Sequence, residues 1–400
     1  MISATACQRL LRALIVQELA DGSGRAIRPA EAAAWPDDFA LDAEGLGLDS
    51  LDLVGCGTAV NQFFRLHETG LEDYLLAERR LDAWVKIIQA GLAEGTTGLT
   101  FRTSGSSGEK KPCTHSHASL AAEVAYWVKI FADRRRIIQL VPPHHIYGAI
   151  FTILLPEAMG IPVLDGRAMP PGRLARILRA DDLLVGFPAG WSNLLHSLEC
   201  LPAGIRAVSS TAPLPAAASH ALRQAGAAEV IEIYGSSETA GIASRSAPDQ
   251  PFTLLPRWRS GASGAGASVI EAATGLTVPL PDRAEWDSAD GLRLLGRKDQ
   301  AVQVGGINVF PARVAAKLAS HPLVAEAAVR LDTTLPEPRL KAFVTLRGRP
   351  KTKPLDAREL EAWCRSNFAA PERPVRIEIG QALPRNAMGK MTDWPASPPV

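Results

Sequence analysis

Phe101-Arg102-Thr103-Ser104-Gly105-Ser106-Ser107-Gly108-Glu109-Lys110-Lys111-Pro112 follows Gly98-Leu99-Thr100, a short run that predicts the end of a strand. Hydroxyls then alternate with glycines, and two lysines close the segment. Glycine lets backbone approach a ligand and turn its N–H groups inward. Serine and threonine add donors, and a lysine adds positive charge suited to phosphate. The stretch therefore predicts a loop that grips a polyphosphate. It is not of the Walker type, because G-x-x-x-x-G-K-[ST] is absent. A solvated Gly/Ser linker has the same composition, so the surrounding chain must decide.

Downstream of residue 96, strand-like and helix-like segments alternate, the pattern of a layered α/β fold. His117 to Phe131 predicts a helix, and Arg136-Ile137-Ile138-Gln139-Leu140-Val141 a buried strand. An apolar helix from Ala149 to Met159 follows. Further strands are expected at 161–164, 183–187, 206–210 and 229–234, with helices at 171–179 and from Trp191. Ligands of such sheets sit beyond the carboxyl ends of the strands. Residues 250–295 are rich in turn residues and predict a small β subdomain. Leu294 to Asp299 reads as a boundary, followed by a compact α+β unit.

Upstream, Leu10, Leu11, Leu14, Ile15 and Leu19 recur at helical spacing. A loop from Gly22 to about Pro36 leads to Leu46-Gly47-Leu48-Asp49-Ser50-Leu51, which opens a second helix. Two short helices are expected within 71–89. Three units result: a helical region 1–95, a core 96–298 and a small domain 299–400.

The chain has 400 residues, with Lys+Arg 43 against Asp+Glu 42, a formal charge of +1. That balance argues against a general nucleic-acid or membrane-surface binder. No apolar run is long enough to span a bilayer, and the start lacks signal-peptide character. Five scattered cysteines without C-x-x-C suggest neither a disulfide framework nor a zinc site. A reduced, cytoplasmic protein is expected.

Several strand ends carry chemistry-bearing residues. Tyr234-Gly235-Ser236-Ser237-Glu238 offers a ring to cover a base and a carboxylate for Mg²⁺. Ser209-Ser210-Thr211-Ala212-Pro213-Leu214 follows another strand, as does Pro142-Pro143-His144-His145-Ile146-Tyr147-Gly148. Two adjacent histidines evoke a metal, but side chains at i and i+1 are expected to point apart, and no thiol or carboxylate converges on them. Asp282 sits fourteen residues before Gly296, and a carboxylate suits a diol because it accepts two hydrogen bonds.

Taken in order, these motifs resemble the adenylate-forming superfamily of acyl-CoA synthetases and AMP ligases. The first stretch resembles its T-S-G-S-T-G-x-P-K, with Ser107 for Thr, Lys110 for Pro and Lys111 on the family lysine. Tyr234 to Glu238 resembles Y-G-x-T-E, and Ser209 to Leu214 resembles S-G-G-A-P-L with two glycines replaced. Pro142 to Gly148 resembles P-x-x-H-x-x-G, and Gly296-Arg297-Lys298-Asp299 the hinge G-R-x-D. Gly305-Gly306-Ile307-Asn308-Val309-Phe310-Pro311 resembles G-G-x-x-V-x-P, with Gln303 where a lysine is common. Pro384-Arg385 to Gly389-Lys390 resembles P-R-x-x-x-G-K. The resemblance covers about residues 96–393, while the part before the phosphate loop is shorter than in typical members.

The resemblance implies an ATP-binding set of Thr103 to Gly108, Ser210, Thr211, Ala212, Tyr234, Gly235, Ser236, Ser237, Asp282 and Arg297. It implies Lys390 against the acyl carboxylate and α-phosphate, Glu238 on Mg²⁺ and Lys111 on phosphate. Asp299 is the implied hinge, and Gly305 and Gly306 line a pantetheine tunnel. His145, Tyr147, Gly148 and Ser209 mark the acid pocket, to which Phe187 and Trp191 add aromatic walls. A small aromatic acid is therefore expected, as in hydroxybenzoate:acyl-carrier-protein ligases, which this short form resembles. The reaction implied is acyl-AMP formation with pyrophosphate release, then transfer to a pantetheine thiol on CoA or a carrier protein. Residues 1–95 resemble an acyl carrier domain, with Ser50 at the position that holds phosphopantetheine. Asp49 and Ser50 equally suit a helix N-terminus. A catalytically silent docking protein, or a ligase that stops at the adenylate, remains as the alternative.

Overall fold

A computed structural model describes residues 2–102, 111–198, 200–264, 266–298, 301–335, 337–347, 357–384 and 392–394. The expectations for Thr103 to Gly108, Asp299 and Lys390 lie outside the described residues.

The N-terminal region is helical: α1 (Ala4–Gly22), α2 (Pro29–Ala33), α3 (Ser50–Phe64), α4 (Tyr74–Ala77) and α5 (Leu81–Glu94). Ser3 caps α1 by accepting from the Ala6 N–H, and Asp49 caps α3 by accepting from Leu51 and Asp52. Ser50 is exposed at the start of α3. The loop expected at 22–36 contains α2. These helices pack on one another and, through the same apolar faces, on the strands beyond. Leu10, Leu11, Ile15, Phe63, Phe64 and Trp84 belong to one buried cluster with Leu99, Val185 and Ile231 of the strands beyond. Arg9 reaches from α1 to the buried Gln139 side chain, 3.1 Å away. Ser3 donates through both its backbone N–H and its hydroxyl to Glu157, at 2.7 and 2.8 Å. Residues 1–95 are thus built into the core.

Next comes a hairpin, β1 (Gly98–Arg102) and β2 (Pro112–Ser116), paired from Gly98↔Ser116 to Arg102↔Pro112. It forms a sheet of its own. The alternation continues with α6 (His117–Ile130), β3 (Arg136–Gln139), α7 (Ile146–Ala149), α8 (Leu155–Met159), β4 (Val163–Asp165), α9 (Pro171–Ile177) and β5 (Asp182–Gly186). Then follow α10 (Pro188–His196), β6 (Arg206–Ser209), α11 (Ala216–Gln224), β7 (Glu229–Ser236), β8 (Ala240–Arg245) and β9 (Phe252–Leu254). The expected single helix from Ala149 starts at Ile146, and a π-helical segment, Ile150–Leu154, joins α7 to α8. β10 (Trp258–Ser260), β11 (Ser268–Glu271) and β12 (Thr277–Pro279) precede β13 (Asp282–Trp286) and β14 (Gly291–Arg297).

The main sheet has nine strands in the order β13-β14-β9-β8-β7-β6-β5-β3-β4. β4, β3, β5, β6 and β7 run parallel, and β8 turns back antiparallel to β7. The parallel strands are apolar on both faces, as strands covered on both sides must be. Ile137, Leu183, Val208 and Ile231 enter the large core, while Ile138, Leu184, Ala207 and Val230 enter a second core on the opposite face. Of the β subdomain expected at 250–295, only β10 to β12 form a separate sheet; β9, β13 and β14 extend the main one.

The C-terminal unit holds the hairpin β15 (Val302–Val304) and β16 (Ile307–Val309), then α12 (Pro311–Ala319), β17 (Val324–Asp332), β18 (Arg339–Leu346), α13 (Ala357–Asn367) and β19 (Arg376–Gly380). Its apolar residues form a core of their own around Leu318, Val324, Val344 and Leu360. Among the described residues, no helix is long and apolar enough to cross a membrane.

Because α1 shares the sheet's core, truncating it is expected to weaken the whole. Leu10→Ala, at a fully buried site, is expected to cost about 2–5 kcal/mol. Calorimetry should show the transition that contains the sheet moving down. A variant in which that transition stays put would make residues 1–95 a unit that melts alone.

Candidate active site

The carboxyl ends of the parallel strands open into a cleft of about 1260 Å³. Its walls reach from α1 and α3 on one side to the β15–β16 hairpin on the other. It exists because β8 reverses direction beside β7, leaving the Tyr234 to Thr239 turn projecting from the sheet. Gly235 makes that turn possible, since a Cβ there would fall 2.1 Å from the Ala240 carbonyl oxygen.

Tyr234 donates its hydroxyl to Oδ2 of Asp282 at 2.7 Å. Burial, then the charge of Asp282, raises the tyrosine well above its ordinary pKa, so the phenol stays protonated and donating. Arg297 stands opposite Asp282 across the β13–β14 ladder. Three residues far apart in the chain thus meet at one end of the cleft. Ser210 and Thr211 lie beside them on the lip of β6. The Ser210 hydroxyl donates to the Ile233 carbonyl at 3.0 Å. Thr211 has φ +77°, a left-handed conformation that is an outlier for a β-branched residue. Backbone of this kind persists only where surrounding structure imposes it, at a cost of about 1–3 kcal/mol.

The C-terminal hairpin closes over this lip. Gly305 and Gly306 have φ of +59° and +82°. A Cβ on Gly306 would stand 3.0 Å from Oγ1 of Thr211 and 3.8 Å from the Phe187 ring. Phe187 accordingly belongs to the closing surface between the two domains.

At the far end, Ile146, Tyr147, Ile150 and Phe151 of the α7 and π-helical segment line the cleft together with Leu14 and Phe63 from the N-terminal helices. Tyr147 presents its ring only. Its hydroxyl lies 3.0 and 2.8 Å from the carbonyls of Gly186 and Val208. His145 is exposed on the cleft wall. Its ring centroid is 4.4 Å from that of His144, against the expectation that the two point apart. The segment is neither strand nor helix there, so the alternation that separates neighbours does not apply. Among the described residues, no group of His, Cys, Asp and Glu is arranged to hold a metal ion.

Besides Phe187, three expected pocket residues lie outside the cleft lining. Trp191 is fully buried in the second core, on the opposite face of the sheet. A Cβ on Gly186 would fall 2.6 Å from its ring, so the tryptophan fills the space that this glycine leaves. Ser209 is fully buried at the end of β6 and does not reach the cleft. Gly148 serves packing: a Cβ there would fall 1.9 Å from the Pro142 carbonyl oxygen.

Residues not singled out from sequence hold the β1–β2 hairpin, which carries residues 103–110 between its strands. Arg65 closes α3 with φ +58° and donates to Glu68 at 2.9 Å, Thr97 at 3.1 Å and Thr114 at 3.1 Å. Its guanidinium, then the Thr97 N–H, holds the Glu68 carboxyl down at about 2. Arg102, the last residue of β1, donates to Gln62 at 2.7 Å and to Glu18 at 3.0 Å. Lys111 is exposed where the chain re-enters β2. His115 on β2 reaches across to the Ser237 carbonyl at 2.7 Å. A carbonyl only accepts, so Nε2 carries the proton; burial lowers the pKa of the ring and favours that neutral form. Glu238, next to Ser237, is exposed in the cleft. No sequence motif flags these contacts, because each joins elements distant in the chain.

Residues 95–283 match the AMP-binding enzyme family, and residues 313–390 match the AMP-binding enzyme C-terminal domain. A 4-coumarate–CoA ligase of Halorhodospira halophila is 41% identical over 96% of this chain and 97% of its own. Another, from Rhodobacter capsulatus, is 39% identical over 97% of this chain and 99% of its own.

The chain belongs to the AMP-binding enzyme family.

It is an AMP-forming acid–CoA ligase, as the resemblance implied. Its fold is that of the o-succinylbenzoate CoA synthetase of Bacillus subtilis, with a TM-score of 0.60 at 18% identity over 96% of this chain and 91% of that one. The amide bond synthetase McbA of Marinactinospora thermotolerans superposes comparably, with a TM-score of 0.59 at 18% identity over 96% and 92%. The 4-coumarate–CoA ligase alignments take in nearly the whole chain, residues 1–95 included for the most part.

His115→Ala is expected to raise the KM for ATP about tenfold, the equivalent of one lost hydrogen bond of ~1.4 kcal/mol. Pyrophosphate release at varied ATP measures it. A lowered melting temperature with unchanged KM would reduce His115 to a packing residue.

Proposed function

We propose that this ligase activates a small aromatic acid, of the hydroxycinnamate or hydroxybenzoate kind, and passes it to the thiol of CoA. The observation that carries the reading is the far end of the cleft, where the rings of Phe63, Tyr147 and Phe151 and the side chains of Leu14, Ile146 and Ile150 form apolar walls. Flat apolar walls suit a planar ring, whose faces and edges pack well against other aromatic groups. The names of the two relatives near 40% identity agree with an aryl acid.

At the other end, Tyr234, Asp282 and Arg297 form the nucleotide side. The Tyr234 ring is assigned to cover the adenine. The second Asp282 oxygen, not engaged by Tyr234, is assigned to accept from the ribose diol. Thr103 to Gly108 and Lys111 take the phosphates. Glu238 is an exposed oxygen donor on a turn that His115 steadies, a setting suited to Mg²⁺, which neutralises phosphate charge when bound. Lys390 is assigned to the charge that develops as the carboxylate attacks the α-phosphorus. The phosphorus–oxygen bond to pyrophosphate breaks as the acyl-AMP bond forms. The thiol then displaces AMP, and the acyl carbon ends on sulfur. Gly305 and Gly306 are assigned to the thiol's path, with Asp299 as the hinge on which the C-terminal unit turns.

CoA is preferred to a carrier arm on Ser50. Ser50 sits at an Asp49-capped helix start, and its helix is part of the common core. A tethered arm needs a unit free to swing. Intact mass after co-expression with a phosphopantetheinyl transferase is expected to show no added phosphopantetheine; a gain lost in Ser50→Ala would restore self-loading. Pyrophosphate release over a panel of acids is expected to favour hydroxycinnamates and hydroxybenzoates over palmitate. Lys390→Ala is expected to lower adenylation by two to three decades, the worth of a preorganised charge of about 3–4 kcal/mol. Thioester formation from preformed acyl-AMP should survive that change. Equal loss of both half-reactions would remove Lys390 from its role.

A further inference from the structure

The strap that leads from β6 to α11 holds Thr211 in left-handed backbone, and both of its ends are pinned to one strand. At the first end the Ser210 hydroxyl donates to the Ile233 carbonyl at 3.0 Å. At the second the Leu214 N–H donates to Oε1 of Glu232 at 2.8 Å. Glu232 and Ile233 are neighbours on β7. The Leu214 side chain is buried in the second core, which fixes that end from below. Between the pins, Thr211, Ala212 and Pro213 form part of the cleft wall. A strained backbone persists only where its surroundings impose it, and these bonds supply that constraint on either side of Thr211.

Glu232 is 6% exposed. In the ladder it stands between Ser209 of β6 and Arg245 of β8. Its second oxygen accepts from Arg245 Nε at 2.7 Å. Arg245 is held in turn by the Pro248 carbonyl at 2.8 Å and lies over the Phe252 ring, 4.4 Å from its centroid. Phe252 packs against Tyr234, with centroids 5.9 Å apart. Both carboxylate oxygens are thus engaged within the protein, so Glu232 acts through the strap and not on a ligand. The two bonds have different needs. The Leu214 N–H asks only for an acceptor, whereas Arg245 asks for a negative charge.

We propose that Glu232 is a positioning residue for the nucleotide: its bond to the Leu214 N–H holds the Ser210–Leu214 strap in the strained form that receives ATP. The inference rests on the nucleotide side assigned above. Without an acceptor at 232, the Leu214 N–H is left buried and unpaired. The strap then has one pin, and Thr211 can relax toward ordinary backbone. That relaxation moves the cleft wall beside Tyr234 and Asp282, and with it the Thr211 hydroxyl that faces Gly306. The acid end is built from α7, the π-helical segment and the N-terminal helices, and it does not depend on the strap.

The test uses two double variants of the full chain, Glu232→Gln/Arg245→Met and Glu232→Met/Arg245→Met. Both lack the ion pair, and Gln and Met are of like length, so the two differ in the acceptor offered to Leu214. Pyrophosphate release at varied ATP, with the acid that the panel favours, is expected to give a KM for ATP about tenfold higher in the Met variant than in the Gln variant, the effect of one buried hydrogen bond. The KM for the acid should be the same in both. A merely structural Glu232 would lower the active fraction, and so kcat, while leaving both KM values alone. If the double variants do not fold, the single variants Glu232→Gln and Glu232→Met give the same comparison. Equal KM values for ATP, or a KM for the acid that rises in step, overturn the assignment. Tyr234→Ala, run alongside, reports on the nucleotide side itself. An unmoved KM for ATP in that variant is a different outcome: it overturns the reading of the nucleotide side, and the role of Glu232 with it.

Discussion

A two-stranded hairpin has little stability of its own in water, yet among the described residues β1 and β2 pair only with each other. What holds them is lateral. Phe101 packs edge-on against Phe63 of α3, with ring centroids 5.2 Å apart. Arg65 and Arg102 tie both ends of the hairpin to the helices, and His115 ties it to the turn that carries Glu238. The helices of residues 1–95 thus share the core and hold this hairpin from the side.

The second organising feature is the reversal at β8. Five parallel strands deliver backbone to one edge of the sheet, and an antiparallel return places β9, β14 and β13 beyond it. Asp282 and Tyr234 meet across that seam. The two non-glycine residues forced into left-handed backbone beside the cleft, Thr211 and Ala240, stand just past the end of β6 and at the start of β8. Strain of this kind costs stability, and here it aims groups at the cleft: Thr211 toward the C-terminal hairpin, and the Gly241 amide toward Glu123.

The closing surface unites the two domains without a shared core. The C-terminal unit buries its own apolar residues, and its contact with the core at Gly306 runs through a small patch formed by Thr211 and Phe187.

Much of this was legible in the chain. Consecutive apolar residues such as Ile137-Ile138 and Val230-Ile231 face opposite sides of the sheet, and only a strand covered on both faces tolerates that. Glycine, hydroxyl and charge at strand ends marked the site because backbone that approaches a ligand needs them. Tyr234 and Asp282 were assigned separately from sequence and proved to be neighbours. Tertiary structure alone decided the rest. Whether an aromatic such as Trp191 faces cleft or core depends on which side of the sheet its helix packs, and periodicity carries no such sign. Whether residues 1–95 stand apart depends on where Leu10 and Ile15 find partners, and an amphipathic face is silent about which surface covers it. The contacts of Arg65, Arg102, His115 and Glu123 span from 3 to 134 positions along the chain. Local spacing determines which residues share a face; only packing determines which faces meet.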